Sequence, residues 1–457
     1  MRRPSLSSRT KAAKPEAVLD LLRAYESQNV TFVEPDGSWP IVWDRAQGVH
    51  VWDAAGRRYL DLTAAFGVAA AGHANPRVVR AGRRQMGRLL HAMGDVHPHP
   101  LKAWLARELS RLTFERWTSA PPAGTKTKRE GSGAAAPETG KTIFCNSGFE
   151  AVEAALKTAM LATGRPEIIS FAGAYHGLGY GALNATHREF FRSPFRRQLG
   201  QFGYPVPFPQ GNLAGLESRL QALFRRRQIG AVLVEPIQVR GGINIPPTGF
   251  LPLLRRVCDE QKALLILDEI YTGFGRTGRW FACEHSATIP DLVCVGKALT
   301  GGFPLSACVG RAQVMDAAWP PSAGEAIHTS TFLGHPVGCA MALAQIEAIT
   351  AQDLVRRSEA AGSFLLSRLC SLAGRRAGLM LRARGLGLCA GLELCKPDGS
   401  PATETALNAV KAMLHRGFVL LPEGEFSNVI SFTPPLTISR AQLAGTIKAL
   451  RAVLGLA

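Results

Sequence analysis

Leu264-Leu265-Ile266-Leu267-Asp268-Glu269-Ile270 is an apolar run that ends in a carboxylate, and Asp291-Leu292-Val293-Cys294-Val295-Gly296-Lys297-Ala298 is one that ends in a lysine. Runs of four or five large aliphatic residues read as parallel strands buried on both faces. On that reading Asp268 and Lys297 are delivered at the tips of two such strands.

The alternation continues on either side. Residues 142–145, 167–171 and 230–235 read as strands; 150–161, 213–227 and 252–261 read as helices. Strand and helix in turn predict an α/β domain with a mostly parallel sheet. Upstream, residues 15–30 have helical periodicity, and residues 50–61 read as a hairpin turning at 54–56. Residues 76–112 read as helical, broken near Pro98 and Pro100. The Pro-, Gly- and Lys-rich stretch 117–140 has no apolar period and reads as a surface insertion. Beyond about 340 the texture becomes Ala/Leu-rich helices (338–349, 354–372) with a few strands, a smaller α+β domain. The expected organisation is a basic tail (1–14), an N-terminal segment contributing to the small domain (15–75), a large cofactor-binding domain (76–340) and a C-terminal small domain (341–457).

The 457 residues suffice for two domains. No apolar stretch is long enough to span a bilayer, so no membrane role is expected. Nine scattered cysteines, with no Cys-x-x-Cys pair and no histidine cluster at ligand spacing, point to reduced thiols in the cytoplasm and to no metal site. The net charge of +18 raises nucleic-acid binding as a possibility. The basic runs at 196–197 and 225–227 are read as lacking aromatic interleaving, and no nucleic-acid module is recognisable, so nucleic acid is not the expected partner.

A lysine and a carboxylate at neighbouring strand ends are what pyridoxal phosphate chemistry needs. The lysine forms the Schiff base, and the carboxylate keeps the pyridine nitrogen protonated so that the ring accepts electrons. Two further features fit. Strand 142–145 runs through Asn146-Ser147-Gly148-Phe149 into a helix, which presents free N–H groups to an anion; Ser147 with Glu150 reads equally well as a capping box. Tyr175, at the end of strand 167–171, could stack on a flat ring or simply belong to the core.

Taken together, Asn146-Ser147-Gly148-x-Glu150-Ala151, Tyr175-His176-Gly177, Glu235-Pro236-Ile237-Gln238, Asp268 through Gly278, Gly296-Lys297-Ala298-Leu299-x-Gly301-Gly302 and Ser330-Thr331-Phe332-x-Gly334-His335-Pro336 resemble, in order and spacing, the class III (ω-type) aminotransferases. The resemblance runs from about residue 30 to the C-terminus. It implies the fold type I architecture, pyridoxal 5'-phosphate as cofactor, and ping-pong transfer of an amino group from an amine or amino acid to a 2-oxo acid. Lys297 would be the Schiff-base lysine and Asp268 the partner of the pyridine nitrogen. Ser147, Gly148 and Phe149 would hold the phosphate, and Tyr175 would stack on the ring, with His176 and Glu235 beside it. Thr331 would reach the neighbouring subunit's cofactor, since the family's sites lie at a homodimer interface. A racemase or epimerase of the same family, and a non-enzymatic basic binding protein, are the rival readings.

The chain departs from the family at positions that face substrate. Leu178 stands where many members have an arginine after His-Gly. Ser431 stands where an arginine usually precedes Phe-x-Pro-Pro, and Arg240 replaces that arginine's glutamate partner. Arg240 either supplies a guanidinium fork for an acidic substrate or points to solvent beside a pocket for plain amines. Tyr271 replaces a usual Gln or His near the cofactor's 3'-oxygen and is expected to donate a hydrogen bond there. Phe66 matches a position that lines the substrate pocket.

Overall fold

The computed structural model describes residues 14–119 and 137–456. Its centre is a seven-stranded sheet: β1 (Gly140–Cys145), β2 (Glu167–Phe171), β3 (Gly203–Val206), β4 (Ile229–Val234), β5 (Leu264–Asp268), β6 (Leu292–Val295) and β7 (Ser306–Arg311), in spatial order β1-β7-β6-β5-β4-β2-β3. Only β7 runs against the rest. Every residue of β4 and β6 is buried, which is why these strands read as unbroken apolar runs rather than alternating ones. Helix Gly148–Thr163 lies across the sheet through Ala151, Val152, Ala154 and Ala155, and Gly164 ends it in the left-handed conformation.

Two smaller sheets flank this one. Strands Trp43–Gln47, His50–Asp53 and Arg58–Asp61 pair in sequence order, and Phe418–Val419 joins the last of them in parallel. The N-terminal hairpin is therefore stitched to the C-terminal part of the chain. Strands Gly374–Arg376, Leu379–Leu386, Cys389–Cys395, Val429–Phe432 and Leu421–Glu423 form an antiparallel sheet in that order. One large apolar cluster runs through all of this, from Leu60 and Leu62 through the central sheet to Leu450.

Several sequence expectations need correction. The first helix is Pro15–Tyr25 and stops five residues early: the chain turns extended at Glu26 and left-handed at Asn29, a conformation that asparagine tolerates better than most L residues. Strand Trp43–Gln47 was not anticipated; most of its side chains are exposed, so it carries no apolar signal. The break in 76–112 spans the whole interval between helices Pro76–Met86 and Pro100–Ser110. Residues 117–119, assigned to the expected insertion, belong instead to the helical stretch running on from Pro100; residues 120–136 of that expected insertion and 1–13 of the basic tail lie outside the described residues. Among the described residues no helix is long and apolar enough to cross a membrane. The basic run at 196–197 is not free of aromatics: Phe190, Phe191 and Phe195 alternate with Arg188, Arg192, Arg196 and Arg197.

Candidate active site

Parallel strands place their carboxyl ends on one edge of a sheet, and loops leaving that edge form the crevice in which α/β proteins bind ligands. Five such loops converge here. β1 delivers Ser147 to Phe149, β2 delivers Tyr175 to Leu178, β4 delivers Glu235 to Arg240, β5 ends at Asp268, and β6 is followed by Lys297. The register sets the central pair: Asp268 lies beside Cys294, so Lys297 is only three residues beyond its level. A cavity of about 420 Å³ is lined by Gly148, Phe149, Tyr175, His176, Leu178, Glu235, Ile237, Arg240, Asp268, Ile270, Tyr271 and Lys297, among others.

Asp268 is 5% exposed. Its Oδ1 accepts the Ile270 N–H at 3.1 Å, and its Oδ2 lies 2.8 Å from His176 Nδ1. His176 is itself held by its backbone N–H on Thr186 Oγ1. Glu235 accepts the Tyr175 N–H at 2.9 Å; burial pushes its carboxyl up to about 7. Lys297 sits at a positive φ of 39°, an outlier of the kind found where a scaffold over-determines one residue. Burial is the main cause that brings its amine down to about 8, against the pull of Asp268 and Glu235. Arg240 pushes in the same direction as burial. The Lys297 Nζ lies 3.5 Å from the centre of the Tyr271 ring.

These residues fit a flat, phosphorylated pyridine. Ser147 Oγ, beside the helix N-terminus, and His176 Nε2, on the side of the ring away from the Nδ1 that meets Asp268, are buried polar atoms without a partner among the described residues. The Glu150 carboxylate takes the N–H groups of Asn146 and Ser147, leaving the first amides of the helix itself for an anion. Close approach is secured by glycine. A Cβ on Gly148 would lie 3.1 Å from Ile270, and one on Gly177 only 2.4 Å from Phe149 Cβ.

Four expectations fare otherwise. Tyr271 does not aim its hydroxyl into the cavity; that group pairs with Thr433 Oγ1 at 3.2 Å, and the ring face meets Lys297 instead. Of the two readings of Arg240, the one that turns it to solvent is excluded. The side chain lines the cavity, sits over the Tyr175 ring, and pairs at 3.3 Å with Glu423, which is almost fully buried. Ser431 is not a lining residue; its hydroxyl donates to Leu421 O within the five-stranded sheet. Phe66 is exposed and does not line the cavity; Thr331, expected to serve a neighbouring subunit's cofactor and not this one, is exposed too. Glu423 was missed because it lies on a short edge strand far along the sequence. The signal was indirect: an arginine introduced into a buried site needs a countercharge.

The family model "Aminotransferase class-III" matches residues 32–454. A putrescine aminotransferase from Pectobacterium atrosepticum is 35% identical over 463 aligned positions, 98% of this chain and 91% of the relative. An (S)-enantioselective ω-transaminase from Thermomicrobium roseum superposes with a TM-score of 0.84 at 28% identity, over 97% of this chain and 99% of the other. An amine transaminase from an uncultivated Pseudomonas species, crystallised in its pyridoxal phosphate-bound form, gives 0.81 at 26% identity over 94% and 98%. The chain belongs to the class III aminotransferases and is a pyridoxal phosphate-dependent transaminase.

Proposed function

We propose that this transaminase takes its amino group from an aliphatic primary amine and passes it to a 2-oxo acid whose carboxylate is held by Arg240. The observation that carries the reading is the Arg240–Glu423 pair. Apart from Lys297, Arg240 is the only Lys or Arg among the described residues that line the cavity, and the other walls include Phe149, Leu178, Ile237, Ile270 and Tyr271. With Glu423 as partner, the guanidinium is neutralised while an uncharged carbon chain fills the space. Burial holds the Glu423 carboxyl up at about 7, so it can take a proton and release Arg240 when a carboxylate enters. The putrescine and amine transaminases among its relatives support an amine donor.

Pyridoxal phosphate supplies the aldehyde that condenses with amines and the ring that accepts an electron pair. The chain's own residues do the rest. Ser147 and the amides of Gly148 and Phe149 would hold the phosphate, Tyr175 would lie against the ring, and Asp268, oriented by His176, would keep a proton at the ring nitrogen. Lys297, with an amine near 8, is partly neutral at neutral pH and can lift a proton from substrate carbon and return it one atom away. We further read the protein as a cytoplasmic homodimer. Eight of its nine free cysteines are buried, which suits a reducing compartment. Leu90, Met93, Val96, Trp104 and Phe332 are all more than half exposed, in keeping with a face that a second copy covers, and Thr331 adjoins Phe332.

The test is Arg240→Ala. The Michaelis constant for the oxo acid should rise at least about tenfold while that for the amine changes little, as expected for loss of a charge-assisted pair. Equal effects on both substrates, or none, would refute the role given to Arg240.

A further inference from the structure

The wall of the cavity continues outward as a band of aromatic rings threaded with arginines. Tyr175, in the wall, meets Phe191 edge-on at 5.6 Å, and Phe191 meets Phe190 at 5.2 Å; beside them Tyr180 meets Phe195 at 6.3 Å. The outer rings are not covered: Phe190 is 70% exposed and Tyr180 and Phe195 are each about half exposed, as is the cavity residue Leu178, whereas Tyr175 and Phe191 are half-buried. Residues 188–198 carry four arginines against one acid, Glu189. Glu189 pairs with Arg196 and, at 3.7 Å, with Arg192; Arg197 has no ionic partner among the described residues. Arg188 lies over the Phe191 ring, donates to Glu425 O at 3.3 Å, and is close enough to the cavity to act on the Glu423 carboxyl. The band is therefore contiguous with the reaction site, apolar in its floor and cationic along its edge.

We propose that residues 188–198 form a subsite at the cavity mouth for a phosphate-type dianion carried at the far end of an extended substrate. The inference rests on the transaminase reading and deepens it by naming a substrate class. A single carboxylate near the reacting carbon is provided for by Arg240. The exposed guanidinium forks of Arg196 and Arg197, with the half-buried Arg188 and Arg192 beside them in the segment, match a multivalent oxyanion, and exposed phenylalanines cover the hydrocarbon spacer that joins it to the amine. An excess of one sign at the mouth also draws such a substrate in, an effect that salt screens.

The experiment compares matched donors on the holoenzyme with one 2-oxo acid: butyl-, hexyl- and octylamine against the same amines bearing a terminal phosphate. At low ionic strength kcat/KM should favour at least one phosphorylated donor by roughly tenfold, the scale of one or two charge-assisted contacts near a surface. High salt, or the double variant Arg196→Ser/Arg197→Ser, should remove most of that advantage and leave the plain amines unchanged. Equal kcat/KM for both series at every length would overturn the subsite. So would a Phe190→Ser/Phe195→Ser variant that sediments as a smaller species, since the band would then be a contact between subunits. Absence of turnover with every donor would instead count against the amine-donor reading itself.

Discussion

Tyr271 turns its ring, not its hydroxyl, toward the reactive amine. A cation held 3.5 Å above a desolvated ring is favoured over the neutral amine, which opposes the burial that brings Lys297 down to about 8. Tyr271→Leu should therefore move the Lys297 limb of the pH–rate profile to lower pH by about one unit, the equivalent of roughly 1–2 kcal/mol, whereas Tyr271→Phe should leave it in place. A profile unmoved in the Leu variant would dismiss the ring as a tuning group. Glu235 offers a test on the cofactor-free protein. Its carboxyl titrates near 7 in the fold and near 4.5 when unfolded, so the folded state holds the extra proton between those values. Stability from this group is full below about 4.5 and is lost as pH rises through 7. Thermal melts of Glu235→Gln should fall less steeply across that window than those of the unaltered protein.

At the level of elements, the segment after strand Arg58–Asp61 backs the site from behind Tyr271 and is under strain. Ala64, Ala65, Phe66 and Gly67 all have positive φ, a left-handed turn that L residues adopt only under compulsion. The compulsion comes from Asp61, fully buried, whose carboxylate accepts from Thr63 N–H, Thr63 Oγ1 and Ala65 N–H, and meets His73 Nε2 at 2.7 Å. The turn presses Gly67 against Tyr271, where a Cβ would lie 2.8 Å from the ring. Thr433 Oγ1 ties Tyr271 back to Thr63 O. Asp61→Ala should cost about 3 kcal/mol or more in urea denaturation, because it strands several buried donors at once. Gly67→Ala should cost about 1–3 kcal/mol and also displace the Tyr271 ring, so its Lys297 limb should shift in the same sense as that of Tyr271→Leu.

At the scale of the whole molecule, a second copy would cover the apolar face around Leu90, Met93 and Phe332 and bring Thr331 to the partner's cofactor. Leu90→Asp/Met93→Asp should yield a monomer by analytical ultracentrifugation with activity reduced at least about a hundredfold; a fully active monomer would refute the shared site. Much of the fold was legible in the sequence because a strand buried on both faces must be apolar throughout. That one rule located β5 and β6 to within a residue, and with them Asp268 and Lys297. The exposed strand Trp43–Gln47 escaped for the converse reason, since solvent places no such demand on its side chains.

The sequence by itself determined the alternating architecture, the strand ends that carry Asp268 and Lys297, and the helix start at Gly148, because each of these is fixed by residues adjacent along the chain. Only the tertiary structure decided which acid answers Arg240, where Tyr271 directs its hydroxyl, and that Phe190 and Arg188 continue the wall begun by Tyr175. Those are meetings between residues up to nearly two hundred positions apart, and no local pattern encodes a partner brought in by the packing of separate sheets.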